Sequence, residues 1–256
     1  MKTYSNSEKG FTLVELAVVM IIIGLLIGGV LKGQELIKSA KVTSTISQVK
    51  AIDAATSTFQ DIYAGLPGDL LAASTRLPGC DAGSICAVDA SGGGDGNGIV
   101  ENTGTFAPAA GDEGRSYFIQ LSRADLLSGV AAGDDSFGGN YPQAPVGGGF
   151  IVESLSVATD LPAPLASNAS GFRAGLYVMH QQIVGSTSTA ASNSLTMQRI
   201  DRKIDDGNPL TGSVMAVDNG ASTNCIAQVG SPATASNAYD TTNSSLLCNA
   251  VVRIQN

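Results

Sequence analysis

Lys9-Gly10-Phe11-Thr12-Leu13-Val14-Glu15 leads directly into an aliphatic run ending at Val30-Leu31, and the whole stretch from Phe11 to Leu31 holds one charge, Glu15. As a helix the run is about 32 Å long at ~1.5 Å per residue, enough for the hydrocarbon core of a bilayer. Lys2 and Lys9 precede it and Lys32, Lys38 and Lys41 follow it, so the charge bias gives only a weak orientation. A secretory signal would end in a small-residue cleavage site after the apolar run. Here a helical pattern continues instead, and the run reads as retained. Glu15 is the anomaly: an ionised carboxylate in such a segment costs roughly 2.5–3.5 kcal/mol, so it needs a partner or a proton.

Downstream of Lys32, the apolar positions Leu36, Ala40, Ile46, Val49, Ile52, Ala55, Phe59, Ile62 and Tyr63 step mostly by three and four. That spacing predicts an amphipathic helix face, which Gly65-Leu66-Pro67-Gly68 terminates. A helix from Phe11 to Ala64 would be about 80 Å long. A plain anchor and stalk would not need the amphipathic second half, so the stripe predicts a spine packed on a head.

The segment Lys9-Gly10-Phe11-Thr12-Leu13-Val14-Glu15 with its aliphatic continuation resembles the N-terminus of prepilin-like proteins, the type IV pilins and the pseudopilins of type II secretion. The likeness covers residues 8 to 64. It implies that a prepilin peptidase/methyltransferase cuts between Gly10 and Phe11 and N-methylates the new Phe11 amine. It further implies that Glu15 guides docking of the subunit onto a growing fibre. The electrostatics agree, because a cationic Phe11 amine and a negative Glu15 on a neighbouring subunit are each costly to bury alone. Removing the leader, with Lys2, Glu8 and Lys9, makes the chain one unit more negative. Many type IV pilins carry a proline about twenty residues into this helix, whereas none occurs here before Pro67. Gly24, Gly28, Gly29 and Gly33 supply small-residue contacts or local loosening instead.

The chain has 256 residues and a formal charge of −8, with 43% hydrophobic residues, 5% aromatics and no Trp. That balance excludes a sequence-independent nucleic-acid binder, which needs clustered Lys and Arg. With 14% charged residues it also excludes an acidic disordered chain. Nineteen of the 31 glycines fall between residues 65 and 150, predicting loops and turns there. Residues 113–128 read as a short helix with Tyr117, Phe118, Leu121, Ala124 and Leu127 inward and Gly129 as its cap. Strands are expected at 150–157, 172–181, 213–217 and 246–254, and a helix with Leu195, Met197, Ile200 and Ile204 on one face ends at Gly207 and Pro209. The fold expected is α+β: a long N-terminal helix, its first half transmembrane, packed on an antiparallel sheet. The resemblance implies the same.

Cys80, Cys86, Cys225 and Cys248 form an even set, as two disulfides require. Three connectivities are open; the local one is Cys80–Cys86 with Cys225–Cys248, and the second bridge resembles those that tie down the C-terminal strand region of many pilins. Asp95, Asn97 and Glu101, within Ser91–Glu101, are oxygen ligands at short spacing, but the EF-hand pattern fails at Ile99 and at its terminal Glu. Asp-Gly and Asn-Gly favour a surface turn. Asp205 and Asp206 are a second candidate for Ca²⁺, since the resemblance implies that calcium stabilises some pseudopilins; the competing reading is a helix-end turn with solvated acids. There is no C-x₂-C pair for zinc, and His180 is the sole histidine. With no G-x-S-x-G or H-E-x-x-H, no catalytic constellation emerges and an enzyme is not expected.

The expected organisation is a leader at 1–10, a helix at 11–64 with 11–31 transmembrane, and a head at 65–256, divided into a glycine-rich part (65–150) and a sheet and C-terminal part (151–256). The function expected is a structural subunit of a pilus-like fibre for adhesion, motility or DNA uptake. The alternatives are a type II secretion pseudopilin and, in another class, a membrane-anchored periplasmic binding protein. The partners implied are further copies, other pilin-like subunits, the processing enzyme, the membrane and an inner-membrane assembly platform. The place implied is the inner membrane before assembly, then the cell surface or the periplasm.

Overall fold

Helix α1 (Leu13–Tyr63) is the first element. The computed structural model describes residues 12–81, 83–87, 94–157, 160–161, 172–186, 189–218, 225–229, 234–242, 245–246 and 248–254. The chain divides into two compact units, residues 1–41 and 42–256.

In the first unit α1 is long and apolar enough to cross a membrane, with an 18-residue window of mean hydropathy 2.7 and none of that window buried within the chain. Its Leu, Val, Met and Ile side chains are open all round. A helix apolar on every side is soluble neither by amphipathicity nor by charge; it needs lipid or other helices around it.

In the second unit the picture changes within one turn. Val42, Thr45, Ile46, Val49, Ile52, Ala55, Thr56 and Phe59 are buried, spaced by three and four, and they share one apolar core with the sheet. Leu36 and Ala40 of the expected stripe are exposed, and so is Ile62 (61%). At the helix end Tyr63 takes the inward place, its ring 4.6 Å from that of Phe59.

The sheet comprises β1 (Gly149–Leu155), β2 (Gly175–Gln181), β3 (Val214–Asp218) and β6 (Cys248–Arg253), all antiparallel in the order β1-β2-β6-β3. Residues Val152 and Val178 face each other across β1–β2, and Val178 and Val252 across β2–β6. These strands are buried along nearly their whole length, which explains their continuous rather than alternating hydrophobicity. The fold is therefore α+β and pilin-like: a long N-terminal helix with an antiparallel sheet. A separate hairpin, β4 (Ile226–Val229) with β5 (Thr234–Tyr239), has no counterpart in the sequence expectations.

Among the described residues the head also carries three short helices: α2 (Ala73–Arg76), α3 (Glu113–Arg123) and α4 (Ser194–Ile204). The expected helix at 113–128 stops at Arg123. Asp125 takes a left-handed φ of 57° and the Leu126 N–H reaches back to the Leu121 carbonyl at 3.0 Å, a Schellman closure with Asp where Gly is usual. On α4, Asn193 caps the start through its bond to the Thr196 N–H at 2.9 Å. Met197 and Ile200 are buried as expected, but Leu195 is 42% exposed.

The cysteines form two disulfides, Cys80–Cys86 and Cys225–Cys248. The second ties the β4–β5 hairpin to β6, a strand in the middle of the sheet.

Candidate functional site

The first region of interest is the start of α1. Gly10 and Phe11 lie outside the described residues. Thr12 is the helix N-cap: its carbonyl accepts from the Leu16 N–H at 3.3 Å, and its Oγ1 accepts from the Glu15 N–H at 3.3 Å. Glu15 returns the contact through Oε2, which accepts from the Thr12 N–H and from Thr12 Oγ1, both at 2.9 Å. This is a capping box, Thr-x-x-Glu, in which two backbone donors at the helix start are satisfied reciprocally. The position that the resemblance makes an assembly residue thus also begins the helix, and Thr12 joins it. The Thr-x-x-Glu spacing ahead of an apolar run was the sequence signal for Thr12.

The second region is the glycine-rich loop of the head. Asp95 lies with Asp69 and Glu113, one carboxylate oxygen from each within 4.8 Å of the others. Asp69 and Glu113 are buried. Their oxygens collect backbone donors from the loop: Asp69 from Gly96 and Gly98, both at 2.7 Å, and Glu113 from Gly94 at 2.8 Å, Asp95 at 3.4 Å and Glu101 at 3.1 Å. Glycines suit such a wrap because the backbone must come close to the acids and turn left-handed. Gly68 shows the constraint: its φ is +87°, and a Cβ there would sit 2.5 Å from the Glu113 carbonyl oxygen. Burial pushes both carboxyls up from their ordinary range, against the lowering pull of the amides. Asn97 makes a different contribution: Oδ1 accepts from the Ile99 N–H at 2.7 Å and Nδ2 donates to Asp95 Oδ2 at 3.1 Å. The loop expected as a surface turn is exposed at 95–99 and organised from beneath by Asp69 and Glu113, which no local pattern announced. Residues 91–93 of that stretch lie outside the described residues.

The third region is the turn after α4, where Asp201, Asp205 and Asp206 offer oxygens within 4.8 Å of one another. Asp201 is fully buried; Tyr239 donates to its Oδ2 at 2.8 Å and the Gly207 N–H to its Oδ1 at 3.2 Å. Burial raises it to about 6. Asp205 Oδ2 accepts from Ser213 N and Oγ and from the Val214 N–H, and Asp206 accepts from the Asn208 N–H and from Thr211 Oγ1. Asp95, with Asn97 hydrogen-bonded to it, therefore belongs to one acidic group and Asp205 and Asp206 to another. In both groups the carboxylates already accept hydrogen bonds.

His180 is buried, its ring 5.6 Å from that of Phe150. Nε2 donates to the Gly147 carbonyl at 2.6 Å, and Nδ1 has no hydrogen-bond partner among the described residues. Burial lowers it to about 4. A groove of about 450 Å³ opens between Gln60, Leu66, Ile99, Glu101, Ser154 and Leu176; Glu101 is the one titratable group among its described lining residues.

Residues 5–31 match the family model described as the prokaryotic N-terminal methylation motif. No curated protein and no solved structure matches the chain. The chain thus carries the type IV prepilin-like cleavage and methylation signal at its N-terminus. The signal supports a pilin-like or pseudopilin precursor, a class of proteins that is usually structural.

Proposed function

We propose that the protein is a structural subunit of a type IV pilus-like fibre, cut between Gly10 and Phe11, methylated on Phe11, and polymerised through the first half of α1. The observation that carries this reading is the methylation motif at residues 5–31 running without a break into an apolar helix whose side chains are open all round. Such a helix leaves lipid at little cost if equivalent helices replace the lipid contacts, which is how a membrane-stored subunit enters a polymer. In this reading the leader is 1–10, the helix 11–64 and the head 65–256. Glu15 neutralises the Phe11 amine of a neighbouring copy. The partners are the prepilin peptidase, further pilin-like subunits and an assembly platform in the inner membrane.

One observation favours a pseudopilin instead: α1 runs from Leu13 to Tyr63 with no proline before Pro67. The mass of the N-terminal peptide, taken from sheared surface fibres and from washed membranes, separates the readings. Methylated Phe11 in the sheared fraction supports the external pilus, and methylated Phe11 in membranes alone supports the pseudopilus. An intact Met1 in both fractions overturns processing altogether and leaves a membrane-anchored binding protein.

Calcium is a further proposal for the oxygen groups at Asp95 and Asn97 and at Asp205 and Asp206, whose ligand type suits a hard cation. A chelator should then lower the melting temperature of the protein, and an unmoved melting temperature removes calcium from the account.

A further inference from the structure

Two exposed features of the 42–256 unit answer each other in polarity and charge. The first is a stripe on α4. Leu195, Arg199 and Arg202 follow at intervals of four and three, the spacing of one helix face. All three are exposed, whereas Met197, Ile200 and Asp201 between them are buried. Neither arginine makes an ion pair among the described residues, where the pairs are Lys32–Glu35 and Arg115–Asp135. The acids on and after α4 do not compensate, because Asp201, Asp205 and Asp206 are held by Tyr239, Ser213 and Thr211.

The second feature is the groove of about 450 Å³ beside Gln60. Leu66, Leu155 and Leu176 line it, and so does Ile99, which is 41% exposed. Two carboxylates border it. Glu101 belongs to the lining and is exposed. Asp160 Oδ2 accepts from the N–H and the Oγ of Ser156, itself a lining residue, both at 3.0 Å. Neither acid has an ion pair among the described residues, and Arg173, next in sequence to Ala174 of the lining, pairs with neither. The charge of this part of the head is one-sided: from Asp61 to Asp160 three cations stand against thirteen acids. Stripe and groove do not meet within one chain. No α4 residue is among the described lining. Lys203 of α4 donates through Nζ to Thr43 Oγ1 at 3.1 Å, and Gln60 lies seventeen positions further along α1, about 26 Å at the helical rise.

We propose that the α4 stripe of one copy docks in this groove on the next, Leu195 against the leucines and Arg199 and Arg202 on Glu101 and Asp160. The partner is a second copy because one chain carries both halves of the match. Guanidinium groups suit the task, since their planar fork meets a carboxylate with two parallel hydrogen bonds. Stripe and groove are different surfaces, so the contact is heterologous: a copy that has filled its groove still offers its stripe, and the series does not end at a pair. The charges fix the register in which neighbouring heads meet and disfavour wrong ones. The exposure of Leu195, which the core of its own chain does not explain, then has a use.

This contact rests on the fibre reading above and adds to it which surfaces the heads present, so the test separates the two. The full chain and its variants are produced in cells carrying the assembly platform, and subunit is measured in sheared fibres and in washed membranes. R199E/R202E and E101R are each expected to lower the sheared yield by roughly tenfold or more, with membrane levels unchanged and both disulfides formed. R199K/R202K should keep most of the yield. Combining E101R with R199E or with R202E should restore it, which a merely misfolded variant would not do. Wild-type fibres together with undiminished fibres from R199E/R202E and E101R overturn the contact and leave the fibre reading standing. Loss in both without rescue by either combination also overturns it, because the charges then face some other partner. A wild-type chain that yields no sheared fibres overturns the fibre reading and this contact with it.

Discussion

Thr12 and Glu15 each satisfy the other's backbone N–H, Thr12 through Oγ1 at 3.3 Å and Glu15 through Oε2 at 2.9 Å. The carboxylate at the head of an apolar helix therefore does structural work within its own chain. Both bonds it accepts fall on Oε2, so a cationic amine from a neighbour still finds Oε1 among the described residues. Capping and assembly are compatible demands on one side chain.

The two demands separate by substitution. Gln at position 15 keeps an acceptor for the Thr12 N–H but carries no charge. Glu15→Gln is therefore expected to abolish entry into sheared fibres as fully as Glu15→Ala, while Thr12→Ser assembles normally. Thr12→Ala gives up a cap of about 1 kcal/mol and should lower fibre yield without eliminating it. Normal fibres from Glu15→Gln would remove charge from the assembly role.

Gly68 and Gly98 share left-handed backbones, with φ of +87° and +83°, but not surroundings. A Cβ at Gly98 meets nothing within 4 Å, whereas at Gly68 it strikes the Glu113 backbone. Gly98→Ala should cost about 1 kcal/mol from the dihedral alone. Gly68→Ala should cost upwards of about 3 kcal/mol and release the loop from Glu113. Calorimetric melting of the two variants ranks them.

Glu153 is buried beneath the Phe106 N–H, and burial raises its carboxyl to about 7. Its folded value thus exceeds its unfolded value, so the stabilisation is complete below the unfolded value and is lost as pH rises through about 7. Glu113 shifts the same way. Melting temperature should therefore fall as pH rises from about 4.5 through about 7 and level off above it, and Glu153→Gln should flatten that fall.

His180 runs opposite. Its folded value of about 4 lies below the ordinary 6.5, so its share of stability is present above pH 6.5 and drains away as pH falls toward 4. His180→Phe should remove this acid-side contribution while leaving the carboxyls' fall toward pH 7 in place; a pH series of urea midpoints reads both.

The disulfides differ in span, 23 residues for Cys225–Cys248 and 6 for Cys80–Cys86. On chain entropy alone the longer loop is worth about 1 kcal/mol more. Replacing Cys225 and Cys248 by Ser should thus lower the melting temperature further than replacing Cys80 and Cys86, and should raise hydrogen exchange in β4 and β5 first.

The parts legible in the sequence are those whose cause is local. The apolar run announces the span, and uninterrupted hydrophobic stretches such as Leu176–Met179 announce buried strands. Ile226–Val229 and Thr234–Tyr239 were not legible because the first is only four residues long and Ala, Ser and Asn fill four of the six positions of the second; Cys225–Cys248 and the Tyr239–Asp201 bond hold them from outside. The glycine loop is legible as a surface turn, but not its organisers Asp69 and Glu113, which are distant from it in sequence. Ile62 fits the helical spacing of the buried face, yet Tyr63 takes the inward place beside Phe59. At the N-terminus Glu15 stood out as a charge among aliphatics, while Thr12 passed for an ordinary polar residue.

Both margins of the four-stranded sheet are already taken. Along β1, the Phe150 N–H binds the Pro142 carbonyl, Asn102 donates to the Val152 carbonyl, and the Ser154 N–H binds the Val100 carbonyl. Along β3, the Ala216 N–H binds the Pro209 carbonyl and the Val214 N–H binds Asp205. A protein stockpiled in many copies with bare strand margins would accrete sideways, one sheet on the next, without limit of number or direction. At these positions that route is closed, so growth by strand addition does not compete with the helix-to-helix assembly proposed above.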